Sequence, residues 1–185
     1  MTIDIEYVKI NSLVVPDWKA TYTLRPELMV ISASLIQFGF IQPIHVRRKT
    51  NEIIDGSERM LLAKNVEEIY KNEKGMIPVV FHDVDQLRAA IMHLQLNRGK
   101  STVVAAKASK IIRTAKLSGE YNEEDFRDLL AMRNEELSLM LDGTVLKARN
   151  IKEHNYARAW VPIEAPANAQ QGHAPLIEAP PNPDR

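Results

Sequence analysis

The stretch from Gln37 to Asn65, reading QFGFIQPIHVRRKTNEIIDGSERMLLAKN, constrains the chain more than any other. It reads as a helix stopped at Gly39, a strand from Ile41 to Arg47, a turn at Lys49-Thr50-Asn51, a return strand from Glu52 to Ile54, and a new helix from Ser57 to Lys64. Interleaving on that scale points to an α+β fold with a small mixed sheet. At its centre, Asp55-Gly56-Ser57-Glu58-Arg59 sets a glycine and an arginine at a helix start. Free N–H groups and a partial positive charge suit that place to a phosphate.

The flanking pattern extends this unit. Residues 3–10 alternate, with Ile3, Ile5 and Tyr7 against Asp4 and Glu6, as in a half-buried strand. Val14 to Thr23 contains Pro16 and reads as a loop. Arg25-Pro26-Glu27 opens a helix whose apolar face is Leu28, Ile31, Leu35 and Ile36. The helix from Ser57 buries Met60, Leu61 and Ala63. Ile77 to Phe81 is a short apolar strand, and Asp85 caps a helix running to about Asn97, before Gly99.

Beyond Gly99 the character becomes helical. Ser101 to Leu117 is expected as one helix closed by Gly119. Asn122 caps a second, with Asp125 as its capping partner, and Glu135 to Leu141 forms a third ending at Gly143. From about Asn155 the chain turns to APANAQQGHAPLIEAPPNPDR, a composition that buries too little apolar surface to offset ordering entropy. The expected organisation is a domain over residues 1–100, a helical subdomain over 101–153 and a disordered Pro/Ala-rich tail over 154–185.

Bulk composition excludes more than it identifies. Lys plus Arg and Asp plus Glu are 24 each, so net charge carries no hint of nucleic acid. The absence of cysteine removes disulfides, thiolate metal sites and cysteine nucleophiles. MTIDIEYVKI has neither the basic nor the apolar region of a signal peptide, and no apolar run spans a membrane. A soluble cytoplasmic protein with no membrane partner is expected.

For the Gly56 turn, two readings stand on residue types alone. One is a plain β–α turn with a capping Ser57 and a surface arginine. The other is a phosphate cradle, in which glycine permits a close backbone approach, Ser57 donates, and Arg59 offers a planar charged fork. Glu58 is either a general base, the candidate catalytic residue, or a carboxylate stabilised by the helix dipole. His45, His82, His93, His154 and His173 show no metal-ligand spacing. His45 reads as a sheet-face residue, and His82 leaves a buried strand with no partner evident.

Three blocks, in order, resemble the ParB/sulfiredoxin superfamily. Residues 34–44 (SLIQFGFIQPI) look like its helix–glycine–Gln-Pro strand entry. Residues 53–63 (IIDGSERMLLA) look like its phosphate-binding box, and residues 94–100 (LQLNRGK) like its third box. The resemblance covers about residues 3–100. It implies a nucleotide site for CTP or ATP, usually with magnesium. Gly56, Ser57 and Arg59 would then contact the triphosphate, Gln42 and Pro43 would border the pocket, Asn97 would approach metal or phosphate, and Lys100 would stand at the family's basic position. Met60 replaces the box's second arginine, and Leu96 replaces the acid before the family's Asn. The sulfiredoxin cysteine is missing, which excludes sulfinic acid reductase chemistry.

The helical part carries a second signal. From Arg98 to Ser118 lie Arg98, Lys100, Lys107, Lys110, Arg113 and Lys116, with no acidic residue; the stretch Glu120 to Asp142 is strongly acidic. Either the basic helix contacts a DNA backbone, or the two helices neutralise each other within or between chains. Residues 124–141 read as helix–turn–helix, a motif the family often carries. Glu135 and Glu136 at the second helix start would be repelled by phosphates, which favours packing or homo-oligomer formation there. The expectation is a nucleotide-gated, DNA-associated protein of the ParB type, acting in partition, regulation or phage and mobile-element DNA handling. The rivals are an enzyme on the same fold (a nucleoside triphosphatase, nuclease or small-molecule kinase) and an interaction module that has lost nucleotide binding.

Overall fold

A computed structural model describes residues 3–142. The expected tail over 154–185, Gly143 and the end of the helical subdomain lie outside the described residues. The order is β1 (Glu6–Lys9), a 3-10 turn (Ile10–Ser12), β2 (Thr21–Tyr22), α1 (Arg25–Phe38), β3 (Ile44–Arg47), β4 (Glu52–Asp55), α2 (Ser57–Asn65), α3 (Glu67–Asn72) and β5 (Met76–His82). There follow α4 (Gln86–Asn97), β6 (Thr102–Val103), α5 (Ala105–Ser118), α6 (Glu123–Leu130) and α7 (Asn134–Asp142). The fold is α+β.

The main sheet has the order β1-β5-β3-β4. β3 and β4 form an antiparallel hairpin, β3 and β5 run parallel, and β1 joins β5 antiparallel as an edge strand. One face of the sheet packs Ile44, Val46, Ile53, Ile77 and Val79 against Leu35, Met60, Ala63 and Ile69 from the helices. A second core gathers Ala20 and the α4 residues Ala90, Ile91 and Leu94 with Ile112, Ala115, Phe126 and Leu137 of the later helices. Helix α4 therefore touches β4 and also carries the helical part.

The expected elements and the observed ones differ in four places. Tyr7 is 65% exposed and Ile3 and Ile5 are also exposed, whereas Val8 and Ile10 pack inward, so the first strand's apolar alternation faces solvent. An edge strand has a partner on one side only, and here its core face is the even-numbered one. The expected loop before α1 contains β2, which pairs with β6 where continuous helix was expected from Ser101. Thr102 and Val103 are β-branched and suit that short pairing. Helix α3 was not expected. In α1 only Leu35 is fully buried, and Ile36 is exposed, because the helix lies along the rim of the first core.

The caps follow the sequence closely. Asp85 accepts from the Arg88 N–H at 2.8 Å, and Asn122 and Asp125 form a reciprocal box at the start of α6. Gly39 and Gly119 end α1 and α5 with positive φ.

Candidate functional site

The hairpin β3–β4 delivers Asp55 to the edge of the sheet, and the chain turns there into α2. Gly56 has φ +97 and occupies the cap position itself, so Ser57 is the first helical residue and not the cap. Its buried position and the first intrahelical bond, from Met60 N–H to Gly56 O at 3.1 Å, leave the amides of Ser57, Glu58 and Arg59 without helical partners. A Cβ on Gly56 would lie 2.8 Å from Arg59 Nη2 and 3.2 Å from Ile44 Cγ1. The Arg59 guanidinium thus lies over the turn.

Arg59 is poorly served for a buried cation. Its side chain is 17% exposed. Nη1 donates to Gln42 Oε1 at 2.7 Å, while Nη2 reaches Pro43 O and Asp55 Oδ2 only at 3.4 Å. Nε is buried and has no hydrogen-bond partner among the described residues. Arginine–carboxylate bonds are usually about 2.7–2.9 Å, so this geometry leaves donor capacity unused. Burial lowers the Arg59 pKa, against the pull of Asp55 and Glu58.

Asp55 links the two halves of the site. Its Oδ1 accepts from Asn97 Nδ2 at 3.1 Å, and its Oδ2 accepts from Lys100 Nζ at 3.1 Å. Burial alone would raise its pKa; the hydrogen bond from Lys100 and the charges of Lys100 and Arg59 outweigh this and hold it below the ordinary carboxylate value. Asn97 is fixed in turn: Nδ2 also donates to His93 O at 2.9 Å, and Oδ1 accepts from Ser101 Oγ at 3.1 Å. Gln42, Pro43, Arg59, Asn97 and Lys100 therefore converge through bonds to Arg59 or Asp55, beside Gly56, although Lys100 is more than forty residues from Asp55. A cleft of about 480 Å³ opens beside Lys100, lined also by Tyr22, Glu27, Ile31 and Thr102.

Glu58 is committed to Lys19, whose Nζ lies 2.5 Å from its Oε1. Sequence reasoning missed Lys19, and it missed His93. The His93 ring is buried between strand and loop: Nε2 accepts from Ala20 N–H at 3.1 Å, which places its proton on Nδ1, donated to Ile54 O at 2.7 Å. Burial lowers its pKa. Its spacing of four from Asn97 on one helix face was the available signal. His45 lies on the sheet face as expected, and it supplies the partner of His82: Nδ1 and Nε2 are 2.9 Å apart, with rings stacked at 5.1 Å. Burial lowers both pKa values.

Among the described residues, no group of three His, Asp or Glu side chains is placed to hold a metal ion. The nearby oxygens are those of Asp55, held by three donors, and Asn97 Oδ1, held by Ser101. That set does not make a resident magnesium site; it suits only an ion carried in on phosphate oxygens.

The basic residues of the helical part divide. Arg98 makes a two-pronged pair with Glu136, at 2.6 and 2.9 Å, and Lys116 pairs with Glu123. Lys107 and Lys110 make no ion pair among the described residues, and Arg113 keeps a buried Nε without a partner. α6 and α7 are joined by a short turn in which Ala131 has positive φ.

No family model matches the chain, and no curated protein matches it. Solved structures do. A Pnob8-like ParB-N domain is 20% identical, with a TM-score of 0.50 over 69% of this chain and 52% of that chain. The fold is that of a ParB N-terminal domain. The chromosome-partitioning protein ParB from Caulobacter crescentus also matches in two C-terminally truncated forms. The form complexed with CTP-gamma-S is 16% identical, with a TM-score of 0.44, covering 79% of this chain and 89% of that one. The form complexed to the centromeric parS site is 17% identical, with a TM-score of 0.49, covering 77% and 72%. At such identities the likeness to ParB is one of fold. The chain spans about half of the Pnob8-like ParB-N chain. No helix among the described residues is long and apolar enough to cross a membrane.

Proposed function

We propose that the protein binds a nucleoside triphosphate at the Gly56 turn and associates with DNA through α5, as a ParB-type nucleotide-dependent DNA-associated protein. One observation carries the reading. Arg59 is a largely buried cation with two long contacts and an Nε that has no partner among the described residues, lying over a glycine turn that opens a helix. A buried charge with unused donors is costly unless an anion completes it. Amides of the helix start that lack helical partners face the same turn, and Lys100, bonded to Asp55 and lining the neighbouring cleft, adds a second cation. Ligands of this class are CTP and ATP, with magnesium arriving on the phosphates and Asn97 held beside Asp55.

The acid expected before Asn97 is Leu96, so binding without rapid turnover follows. For DNA, Lys107, Lys110 and Arg113 are the residues left for phosphate contacts, since Arg98 and Lys116 serve Glu136 and Glu123. The nucleotide half is tested by calorimetric titration of CTP, ATP and GTP with magnesium. Arg59→Ala should weaken the bound nucleotide by about 1.5–3 kcal/mol, the range for charged hydrogen bonds. Unchanged affinity in that variant, or no binding of any triphosphate at millimolar concentration, contradicts the reading.

A further inference from the structure

Asp55 stands directly before the Gly56 turn with a side chain only 11% exposed. Its Oδ2 takes both Lys100 Nζ and Arg59 Nη2, the two cations that a phosphate at this turn would need. Its Oδ1 is pinned by Asn97, itself held by the His93 carbonyl and Ser101, so the carboxylate cannot swing aside when the cations leave. Lys100, by contrast, is half exposed on a flexible stem, and Arg59 reaches Asp55 only at 3.4 Å. The acceptor is held by a bond outside the cation pair.

Resting on the phosphate reading above, we propose that Asp55 is a built-in competitor for the ligand, engaging Lys100 and, at longer range, Arg59 in the free protein and lowering affinity for any anion that must draw them away. A carboxylate offers one negative charge to the pair. An incoming anion must offer more, because it has to draw both cations over while a fixed negative charge remains beside it. A triphosphate meets that demand by spreading its charge over several oxygens that can reach both cations at once. Asp55 thereby lowers affinity for every anion, and by the larger factor for the more highly charged one, which its fixed charge repels more.

The test is calorimetric titration of inorganic tripolyphosphate and of inorganic phosphate into the wild-type protein and Asp55→Asn, in magnesium-free buffer. Asp55→Asn should bind tripolyphosphate about tenfold tighter or more, and inorganic phosphate should gain in the same direction by a smaller factor, because its lower charge is repelled less by the carboxylate. Equal or weaker binding by the variant overturns the inference and marks Asp55 as a supporting ligand. Should Asp55→Asn be unfolded alone, Asp55→Ser is titrated in its place: tighter tripolyphosphate binding than wild type supports the competitor role, and equal or weaker binding overturns it. Binding by neither protein removes the phosphate reading together with this inference. Wild-type binding that the variant merely matches removes the inference alone.

Discussion

Gly56 does two jobs that no other residue type combines. Its φ of +97 is a conformation that side chains rarely adopt, and its missing Cβ leaves the space into which Arg59 folds. Gly56→Ala should destabilise the protein by about 1–3 kcal/mol in urea denaturation, and should displace Arg59 at the same time; a variant of unchanged stability would mean that the turn is not held in this conformation. Buried titratable groups give a second residue-scale prediction. His93 is folded neutral with its pKa below the ordinary 6.5, so its contribution is complete above that value and is lost as pH falls through the folded one. Asp55 behaves alike at lower pH: its contribution holds above the ordinary 3.8 and fades as pH falls through the depressed folded value. The urea midpoint should therefore drop between about pH 7 and about pH 5, and drop less in His93→Gln. His45 and His82 titrate in the same direction, so the variant reduces the step without abolishing it. A midpoint flat across that range, or a step of equal size in His93→Gln, would contradict the buried neutral ring.

Among the elements, legibility tracked local chemistry. Asp85, Asn122 and Gly39 mark helix ends through bonds made within a few residues, and those ends were readable. The hairpin around Asn51, which has positive φ, was readable for the same reason. What failed was set by distant partners. Nothing in Ile3, Ile5 and Tyr7 reveals that Val8 and Ile10 face the core, because the choice depends on β1 lying at the sheet edge beside β5. Thr21 and Thr102 become strand only through the pairing of Thr21 with Val103 and of Tyr22 with Thr102, far apart in sequence. Charge behaves the same way. The composition of α5 left open whether it meets DNA or the acidic helices, and the structure shows acidic residues taking Arg98 and Lys116 while Lys107 and Lys110 stay unpaired among the described residues. Charge reversal at Lys107 and Lys110 should lower DNA affinity uniformly across unrelated sequences. It should also flatten a log–log salt slope that is roughly −0.9 per phosphate contacted. DNA binding that survives both reversals would assign α5 to protein contacts instead.

At the scale of the whole molecule, two cores meet at one hinge of sequence. Residues 97–100 close α4, whose buried face belongs to the helical core, while Asn97 and Lys100 reach back to Asp55 and Arg98 reaches forward to Glu136. The Gly56 box and the Asn97 segment were both legible as motifs, and so was their order. Their junction through Asp55 was not, since the motif reading assigned Asp55 no role. Asp55 is the residue on which the long-range bonds converge, and only the fold brings its partners together. The central claim is that this junction receives a phosphate chain, and nitrogen–proton correlation spectra of the protein titrated with tripolyphosphate test it most directly. The account predicts that the amides of Ser57, Glu58 and Arg59 and the side-chain Nε–H of Arg59 shift together and saturate on one binding curve. Saturable binding that leaves these four signals in place while others move would put the anion elsewhere and contradict the account.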